Sequence, residues 1–186
     1  MRRTIFLDRD GVITEDPPHY AHRIDQLKLI PRTGEAIRML NEMDYLVIVV
    51  SNQSGVARGY YHETDIECFN DEMIRQLAHN RAHIDAIYYC PHHPEAKIAE
   101  YRVACWCRKP KPGMLQQAAE EHHINLNESY IIGDKRSDIE AGRRAGCRGI
   151  LVLTGHGADE SSKVKDGECF IAKDLYDAVN RYIREE

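Results

Sequence analysis

The chain alternates short apolar runs with longer segments whose apolar residues recur at helical spacing. The runs at residues 4–7, 45–50, 84–89, 129–132 and 149–153 predict buried strands. The periodic segments 34–43, 63–77, 113–122 and 175–183 predict helices. Strands that alternate with helices pair in parallel, because each helix carries the chain back to the same end of the sheet. We therefore expect an α/β fold with a doubly wound parallel sheet, formed by a single domain over residues 1–186.

The length and composition of the chain limit its class. A chain of 186 residues suffices for one compact domain, and 42% hydrophobic with 30% charged residues is typical of a soluble globular protein. No segment is apolar enough to cross a bilayer, and the N-terminal apolar run ends at Asp8, too early for a signal peptide. A net charge of -5 disfavours long nucleic acids as partners. We expect a cytoplasmic monomer with no membrane or nucleic-acid partner.

Acidic residues follow two of the predicted strands. The first strand runs into Asp8-Arg9-Asp10-Gly11, and a later one runs into Gly133-Asp134-Lys135. Ligands bind at the carboxyl ends of parallel strands, so we expect Asp8, Asp10 and Asp134 to lie close together. Carboxylate oxygens suit Mg²⁺, although Asp-x-Asp-Gly alone also fits a turn with solvated aspartates. The magnesium hypothesis therefore depends on what the other strand ends supply.

Polar and basic residues supply the remaining groups of a phosphate site. Ser51 and Asn52 follow the second apolar run, and Arg108 and Lys109 precede a proline-rich segment. Hydroxyl, amide and cationic groups donate hydrogen bonds to phosphoryl oxygens. Together with three carboxylates they indicate an enzyme that acts on phosphate esters.

At these residues the sequence resembles the haloacid-dehalogenase-like (HAD) phosphatases. The four motifs of the family correspond to Asp8-Arg9-Asp10-Gly11, Ser51, Lys109 and Gly133-Asp134, in that order. The resemblance implies a Rossmann-like HAD fold and a phosphoaspartyl intermediate. It makes Asp8 the nucleophile, while Asp10 protonates the leaving alcohol and then activates water.

The resemblance also implies how the site is completed. Ser51 and Lys109 would stabilise the transferring phosphoryl group, and Mg²⁺ would be held by Asp8, Asp134 and the backbone carbonyl of Asp10. We expect Asp138 to be a solvated helical acid, with an indirect role beside the metal ligands as the alternative. Many family members carry a lid domain, but the intervals 11–50 and 52–108 lack room for one. We therefore predict no large cap.

Cysteine and histidine residues cluster in one loop. Three of the six cysteines, Cys90, Cys105 and Cys107, lie near His92 and His93, and the other three are scattered. Thiolates and imidazole are preferred zinc ligands, and three cysteines with one histidine form a tetrahedral set with no open position. We predict a structural zinc-binding loop in a reducing compartment, with free thiols as the alternative. The family resemblance favours His92 over His93 as the fourth ligand.

Three further segments indicate the substrate. Residues 51–59, 88–94 and 107–114 resemble those of family members that act on heptose bisphosphates. This implies a small phosphorylated sugar as the partner, with removal of the 7-phosphate from heptose 1,7-bisphosphate during synthesis of nucleotide-activated heptose. The predicted substrate-binding residues are Asn52, Gln53, Ser54, Arg108 and Lys135. An extra proline in loop 16–22 leaves the anomer preference open.

Other functions remain open on sequence grounds. Histidinol-phosphate phosphatases share the acids and the zinc loop, but there we expect an acidic residue in place of Ser54. Phosphatases of polynucleotide ends share the acids but usually lack the zinc loop. The intact pair of Asp8 and Asp10 disfavours a non-catalytic, zinc-stabilised phosphate-binding module. No role is assigned to the remaining histidines His19, His22, His122, His123 and His156.

Overall fold

The fold, seen in a computed structural model that describes residues 1–17, 20–165 and 167–184, is built on one sheet. The six strands are β1 (Thr4–Leu7), β2 (Leu46–Asn52), β3 (Ala86–Cys90), β4 (Tyr130–Gly133), β5 (Arg148–Val152) and β6 (Phe170–Ala172). Their order is β3-β2-β1-β4-β5-β6, and all neighbouring strands are parallel. The predicted doubly wound parallel sheet is confirmed.

Helices connect successive strands. They are α1 (Thr33–Glu42), α2 (Glu63–Ala78), α3 (Gly113–His122), α4 (Arg136–Ala145), α5 (Gly157–Ser161) and α6 (Leu175–Ala178), and α6 continues into a π-helical turn, Val179–Ile183. Within the described ranges no helix is long and apolar enough to span a membrane. These elements pack on the one sheet as a single domain without a large cap, as predicted.

Strand alternation divides the core into two layers. On β1, Ile5 and Leu7 belong to a cluster that contains buried apolar residues of α1, α2 and α6. Phe6 belongs to the opposite cluster, which contains the buried residues of α3 and Ala141 of α4. Each fully buried side chain of this size contributes about 1.5–3 kcal/mol to folding. Both faces of the strand are covered, and three of its four residues are apolar, as is typical of parallel strands.

The sequence located most elements but missed three. Helix α4 was not predicted because its buried apolar positions are few: Ile139 and Ala141, with Gly142 close against Ile131 of β4. The short α5 and β6 were also missed. The three residues of β6 are all apolar, but so short a run does not stand out in the sequence, and two of the three side chains are exposed. The predicted helix over 113–122 matches α3, whereas the predicted closing helix begins as α6 and ends as the π-helical turn.

The strand order determines where a ligand can bind. The chain proceeds from β1 outwards to β2 and β3, then returns to the other side of β1 to form β4, β5 and β6. The register aligns Leu7 with Val49 of β2 and with Ile132 of β4. The residues that follow β1 therefore lie at the switch point of the sheet, where open α/β sheets bind ligands.

Candidate active site

Asp8 lies at the switch point, directly after β1. Its backbone N–H donates to the carbonyl of Ile132 on β4 (3.0 Å), which continues the sheet ladder past the end of the strand. Its side chain is buried, and Oδ1 accepts from the Arg9 N–H (2.8 Å) and pairs with Lys109 Nζ (3.0 Å). The ladder and these contacts hold the carboxylate in one orientation.

Lys109 is the buried cation of the site. Its Nζ donates to the carbonyl of Val50 (2.6 Å) and pairs with Asp8 Oδ1 (3.0 Å) and Asp138 Oδ1 (2.7 Å). Burial disfavours the charged amine, but the carboxylates of Asp138 and Asp8 outweigh it and raise the pKa of Lys109. The lysine is therefore held as a cation beside the predicted nucleophile.

Asp138 corrects an expectation from the sequence. It is 0% exposed, so the prediction of a solvated helical acid is wrong. As the third residue of α4 it accepts the Lys135 N–H at Oδ2 (3.0 Å), while its Oδ1 pairs with Lys109. A buried carboxylate needs a cation and hydrogen bonds. The hydrogen bond is local to the first turn of α4, whereas the cation, Lys109, is brought close only by the tertiary fold.

Asp134 is the third acid of the site, and its surroundings fit a cation. It is buried, and its Oδ2 accepts the His156 N–H (2.8 Å), but its buried Oδ1 accepts no hydrogen bond within the described part of the chain. Burial and the charge of Asp8 raise the pKa of Asp134 to about 7. Side-chain oxygens of Asp8, Asp134 and Asp138 lie within 4.8 Å of one another. Three such carboxylates suit Mg²⁺.

Two glycines leave room around the Asp134 carboxylate. A Cβ atom on Gly11 would lie 2.2 Å from Asp134 Oδ2, and one on Gly155 would lie 2.3 Å from the same oxygen. Both glycines also have positive φ angles, of 88° and 56°. Side chains at these positions would push into the carboxylate, so the loops after β1 and β5 require glycine for this approach.

Asp10 is held by several donors. Its Oδ1 and Oδ2 pair with Nε and Nη2 of Arg9, both at 3.0 Å. Thr14 Oγ1 also donates to Oδ1 (3.2 Å), and Gln53 Nε2 donates to Oδ2 (2.8 Å). The Asp10 side chain thus faces these donors, and the predicted magnesium contact of Asp10 would come from its backbone carbonyl.

The end of β2 supplies the polar groups that the sequence predicted there. Ser51 Oγ accepts a hydrogen bond from Gln53 Nε2 (2.8 Å), which leaves its hydroxyl proton free to point at a ligand. Asn52 exchanges two hydrogen bonds with the backbone of Lys109, at 3.0 and 3.1 Å. Tyr61 donates to Gln53 Oε1 (2.9 Å), so the buried amide of Gln53 is fully engaged by protein groups.

These residues surround a two-part cleft. An inner pocket of about 80 Å³ is lined by the four predicted catalytic residues Asp8, Asp10, Ser51 and Lys109, together with Asp138. It adjoins an outer cleft of about 630 Å³. The outer cleft is lined by four of the five predicted substrate-binding residues, Asn52, Ser54, Arg108 and Lys135. The fifth, Gln53, is buried.

An ion cluster at the rim was not predicted. Asp16 Oδ2 contacts both Lys135 Nζ and His156 Nε2, each at 3.1 Å. Lys135 also lies 3.6 Å from Asp134 Oδ1, and the nearby carboxylates raise its pKa against the opposing effect of burial. No motif spacing connects residues so far apart in sequence. Pro18 and His19, in the same loop as Asp16, lie outside the described residues.

The cysteine and histidine cluster forms a compact tetrad. Cys90 Sγ lies 3.4 Å from Cys105 Sγ and 3.2 Å from Cys107 Sγ, and His92 Nδ1 lies 3.8 and 3.7 Å from the sulfurs of Cys90 and Cys107. This donor set fits tetrahedral Zn²⁺. His93 Nδ1 instead accepts the Glu95 N–H (3.1 Å), and the tetrad contains His92, as expected.

Comparisons with known proteins indicate the class to which this fold and site belong. A family model described as HAD-hydrolase-like matches residues 106–178, which include Lys109, Asp134 and Asp138. The crystal structure of the D,D-heptose 1,7-bisphosphate phosphatase from B. bronchiseptica, complexed with magnesium and phosphate, is 32% identical, covers 99% of both chains and superposes with a TM-score of 0.90. The parallel sheet and its acidic switch point are those of a HAD-like hydrolase.

Curated relatives narrow this class. The D-glycero-beta-D-manno-heptose-1,7-bisphosphate 7-phosphatase of Pasteurella multocida (strain Pm70) is 46% identical over 164 residues, which is 88% of each chain. The D-glycero-alpha-D-manno-heptose-1,7-bisphosphate 7-phosphatase of Photorhabdus laumondii is 38% identical over 87% of this chain and 88% of the relative. This chain belongs to the family of D-glycero-D-manno-heptose-1,7-bisphosphate 7-phosphatases within the HAD-like hydrolases.

Proposed function

We propose that this chain, acting as one domain over residues 1–186 and as a monomer, removes the 7-phosphate from D-glycero-D-manno-heptose 1,7-bisphosphate. The step would serve the synthesis of nucleotide-activated heptose. The observation that carries the proposal is the buried pair of Asp8 and Lys109, which lines a small pocket that adjoins a cation-lined cleft. The named activities of the relatives supply the substrate.

In the first half-reaction Asp8 is the nucleophile. Its hydrogen bond from Arg9 and its ion pair with Lys109 both involve Oδ1, so Oδ2 is the oxygen available for attack. As the bond from Oδ2 to phosphorus forms, the bond from phosphorus to the sugar oxygen breaks, and that oxygen takes a proton from Asp10. Lys109 and the Ser51 hydroxyl offset the negative charge of the transferring phosphoryl group.

In the second half-reaction Asp10 acts as a base. It takes a proton from a water molecule, whose oxygen attacks the phosphorus of the phosphoaspartyl group. The bond from phosphorus to Asp8 breaks, inorganic phosphate is released and the carboxylate is restored. Asp10 is thereby protonated again for the next substrate, so one residue serves both steps.

Two metal ions complete the proposal. Asp8, Asp134 and the backbone carbonyl of Asp10 would hold Mg²⁺, which supplies positive charge to the phosphate and to the clustered carboxylates. The buried Oδ1 of Asp134, which accepts no hydrogen bond within the described part of the chain, supports this assignment. Zn²⁺ in the cysteine and histidine tetrad would be structural, because four protein ligands leave no open position for chemistry.

The outer cleft would bind the rest of the substrate. Arg108 lines it and also donates to the carbonyl of His92 (3.2 Å), which ties this cation to the zinc loop. Lys135 lines the cleft on the side of Asp16. Arginine and lysine are suited to hold a phosphate that is retained in the product. Asn52 and Ser54 would contact the sugar, while the buried Gln53 would orient Ser51 and Asp10.

A substrate panel tests the proposal. Phosphate release with Mg²⁺ is measured for both anomers of heptose 1,7-bisphosphate, for histidinol phosphate and for a 5′-phosphorylated oligonucleotide, with Asp8→Asn as the control. We expect kcat/KM for a heptose anomer to exceed the other substrates by at least tenfold, or about 1.4 kcal/mol. A preference for histidinol phosphate would contradict the proposed substrate. Absence of phosphate release from every compound would contradict the proposed phosphatase activity.

A further inference from the structure

Arg9 separates the two acids of the first motif, yet it is among the most buried side chains of the protein. It is 1% exposed, although arginine is rarely buried without a partner. Its guanidinium meets Asp10 in a fork, with Nε on Oδ1 and Nη2 on Oδ2, both at 3.0 Å. Such a bidentate pair fixes the plane of the carboxylate as well as its position.

The guanidinium itself is fixed from other elements of the fold. Nη1 donates to Asn70 Oδ1 on α2 (3.1 Å), and Nη2 donates to the carbonyl of Ala21 (3.1 Å). The guanidinium carbon also lies 4.4 Å from the centre of the Phe69 ring, in cation–π contact. Arg9 therefore cannot change its position without breaking contacts to α2 and to the loop around Ala21.

The remaining contacts of Asp10 show which atom Arg9 governs. Thr14 and Gln53 each donate one hydrogen bond to the Asp10 carboxylate, and the side chain still lines the inner pocket beside Asp8. Arg9 supplies two of these four donors and the only charge among them. The guanidinium of Arg9 forms its bidentate pair with the proton-transfer group and not with substrate. Arg9 therefore acts by orienting the Asp10 carboxylate.

We propose that Arg9 is a positioning residue that fixes the Asp10 carboxylate for proton transfer to the leaving sugar oxygen and from water. The inference rests on the proposed function and deepens it. Through Ala21 and Asn70, Arg9 links the acid–base group to a loop that borders the cleft and to α2. Proton transfer requires hydrogen-bonding distance and alignment, so a loosened Asp10 loses much of its 10²–10⁴-fold catalytic effect.

A comparison of two leaving groups distinguishes a positioning role of Arg9 from a merely structural one. An alkyl phosphate needs a proton from Asp10 as its bond to phosphorus breaks, whereas an aryl phosphate with a good leaving group needs none. For Arg9→Met we expect kcat/KM to fall by roughly 100-fold on heptose bisphosphate and by less than tenfold on p-nitrophenyl phosphate. Arg9→Lys, which keeps one charge, should recover part of the loss.

Arg23→Met is the matched control. Arg23 forms the same fork with Asp25, at 3.0 and 2.9 Å, but both side chains are exposed. This variant should leave both kcat/KM values unchanged. Equal losses on both substrates in Arg9→Met would overturn the inference, because they indicate a general defect of the site.

A double-mutant cycle is a second, independent test of the inference. It can be used even if the wild-type enzyme does not hydrolyse the aryl ester. In an Asp10→Asn background Arg9→Met should change single-turnover phosphate release by less than threefold, since Arg9 acts through Asp10. Losses that multiply would contradict the inference. Thermal unfolding of each variant with Mg²⁺ checks that it is folded, and Arg9→Lys replaces Arg9→Met if the latter does not fold. Absence of wild-type turnover would refute the proposed function, whereas the outcomes above test Arg9 alone.

Discussion

The charge on Lys109 is stabilised by two carboxylates that come from different parts of the chain. Asp8 follows the first strand and Asp138 lies in the first turn of α4, and both contact Nζ. Only one of these contacts could be expected from the motifs. The other depends on how α4 packs its first turn against the site. Residue spacing does not reveal this packing, and the sequence alone therefore predicts a surface acid at Asp138.

The buried ion pair of Lys109 and Asp138 leads to a prediction about the stability of the fold. Asp138→Ala leaves Lys109 with one carboxylate and removes the acceptor of the Lys135 N–H, so we expect the free energy of unfolding to fall by about 3–5 kcal/mol. Urea denaturation monitored by circular dichroism measures the change. Glu140→Ala is the control in the same helix. Its pairs with two arginines lie at the surface, so its loss should be less than about 1 kcal/mol. Equal losses would contradict the role of Asp138.

At the scale of elements, the loop that carries the cysteine and histidine tetrad leads directly to the buried lysine of the candidate site. Cys107 of the tetrad lies two residues before Lys109, and Asn52 of β2 forms two hydrogen bonds with the backbone of Lys109. The cluster could be predicted from the sequence because its ligands are close in the chain and chemically distinctive. The rim cluster of Asp16 and His156 could not, because common residue types from distant loops form it.

Loss of zinc should therefore destabilise the fold. For Cys105→Ser we expect a loss of at least about 3 kcal/mol, which in a domain of this size lowers Tm by roughly 6–12 °C. Differential scanning calorimetry with metal analysis makes the measurement. Cys68→Ser, at an exposed cysteine outside the tetrad, is the control and should keep both zinc and Tm. Protein purified without chelators that contains no zinc would rule out the metal.

The loop after β5 gives a second prediction at this scale. Gly155→Ala places a Cβ within 2.3 Å of Asp134 Oδ2 and 2.6 Å of Gly11 Cα, so we expect the Mg²⁺ concentration for half-maximal activity to rise at least tenfold. Gly167→Ala is the control for backbone strain. Gly167 also has a positive φ, but a Cβ there meets nothing within 4 Å. An unchanged magnesium requirement in Gly155→Ala would show that Asp134 does not serve the metal.

At the scale of the whole molecule, the sheet and the meeting of acidic residues at its strand ends could be predicted from the sequence for a physical reason. Buried parallel strands must be apolar throughout, so segments such as 4–7 stand out, and the acids that follow them mark the ligand-binding edge. The helix over Arg136–Ala145 has few buried apolar positions, and the strand Phe170–Ala172 is apolar but only three residues long. The parts that could not be predicted are those that depend on contacts between distant segments.

In the proposed mechanism Asp8 forms a covalent bond to phosphorus, and this intermediate can be trapped. The protein is mixed with Mg²⁺ and heptose 1,7-bisphosphate, quenched within milliseconds and reduced with borohydride, which converts an aspartyl phosphate to homoserine. Peptide mass spectrometry should find homoserine at position 8, and none in Asp8→Asn. Phosphate release from the wild type without modification of residue 8, or with modification elsewhere, would contradict the account.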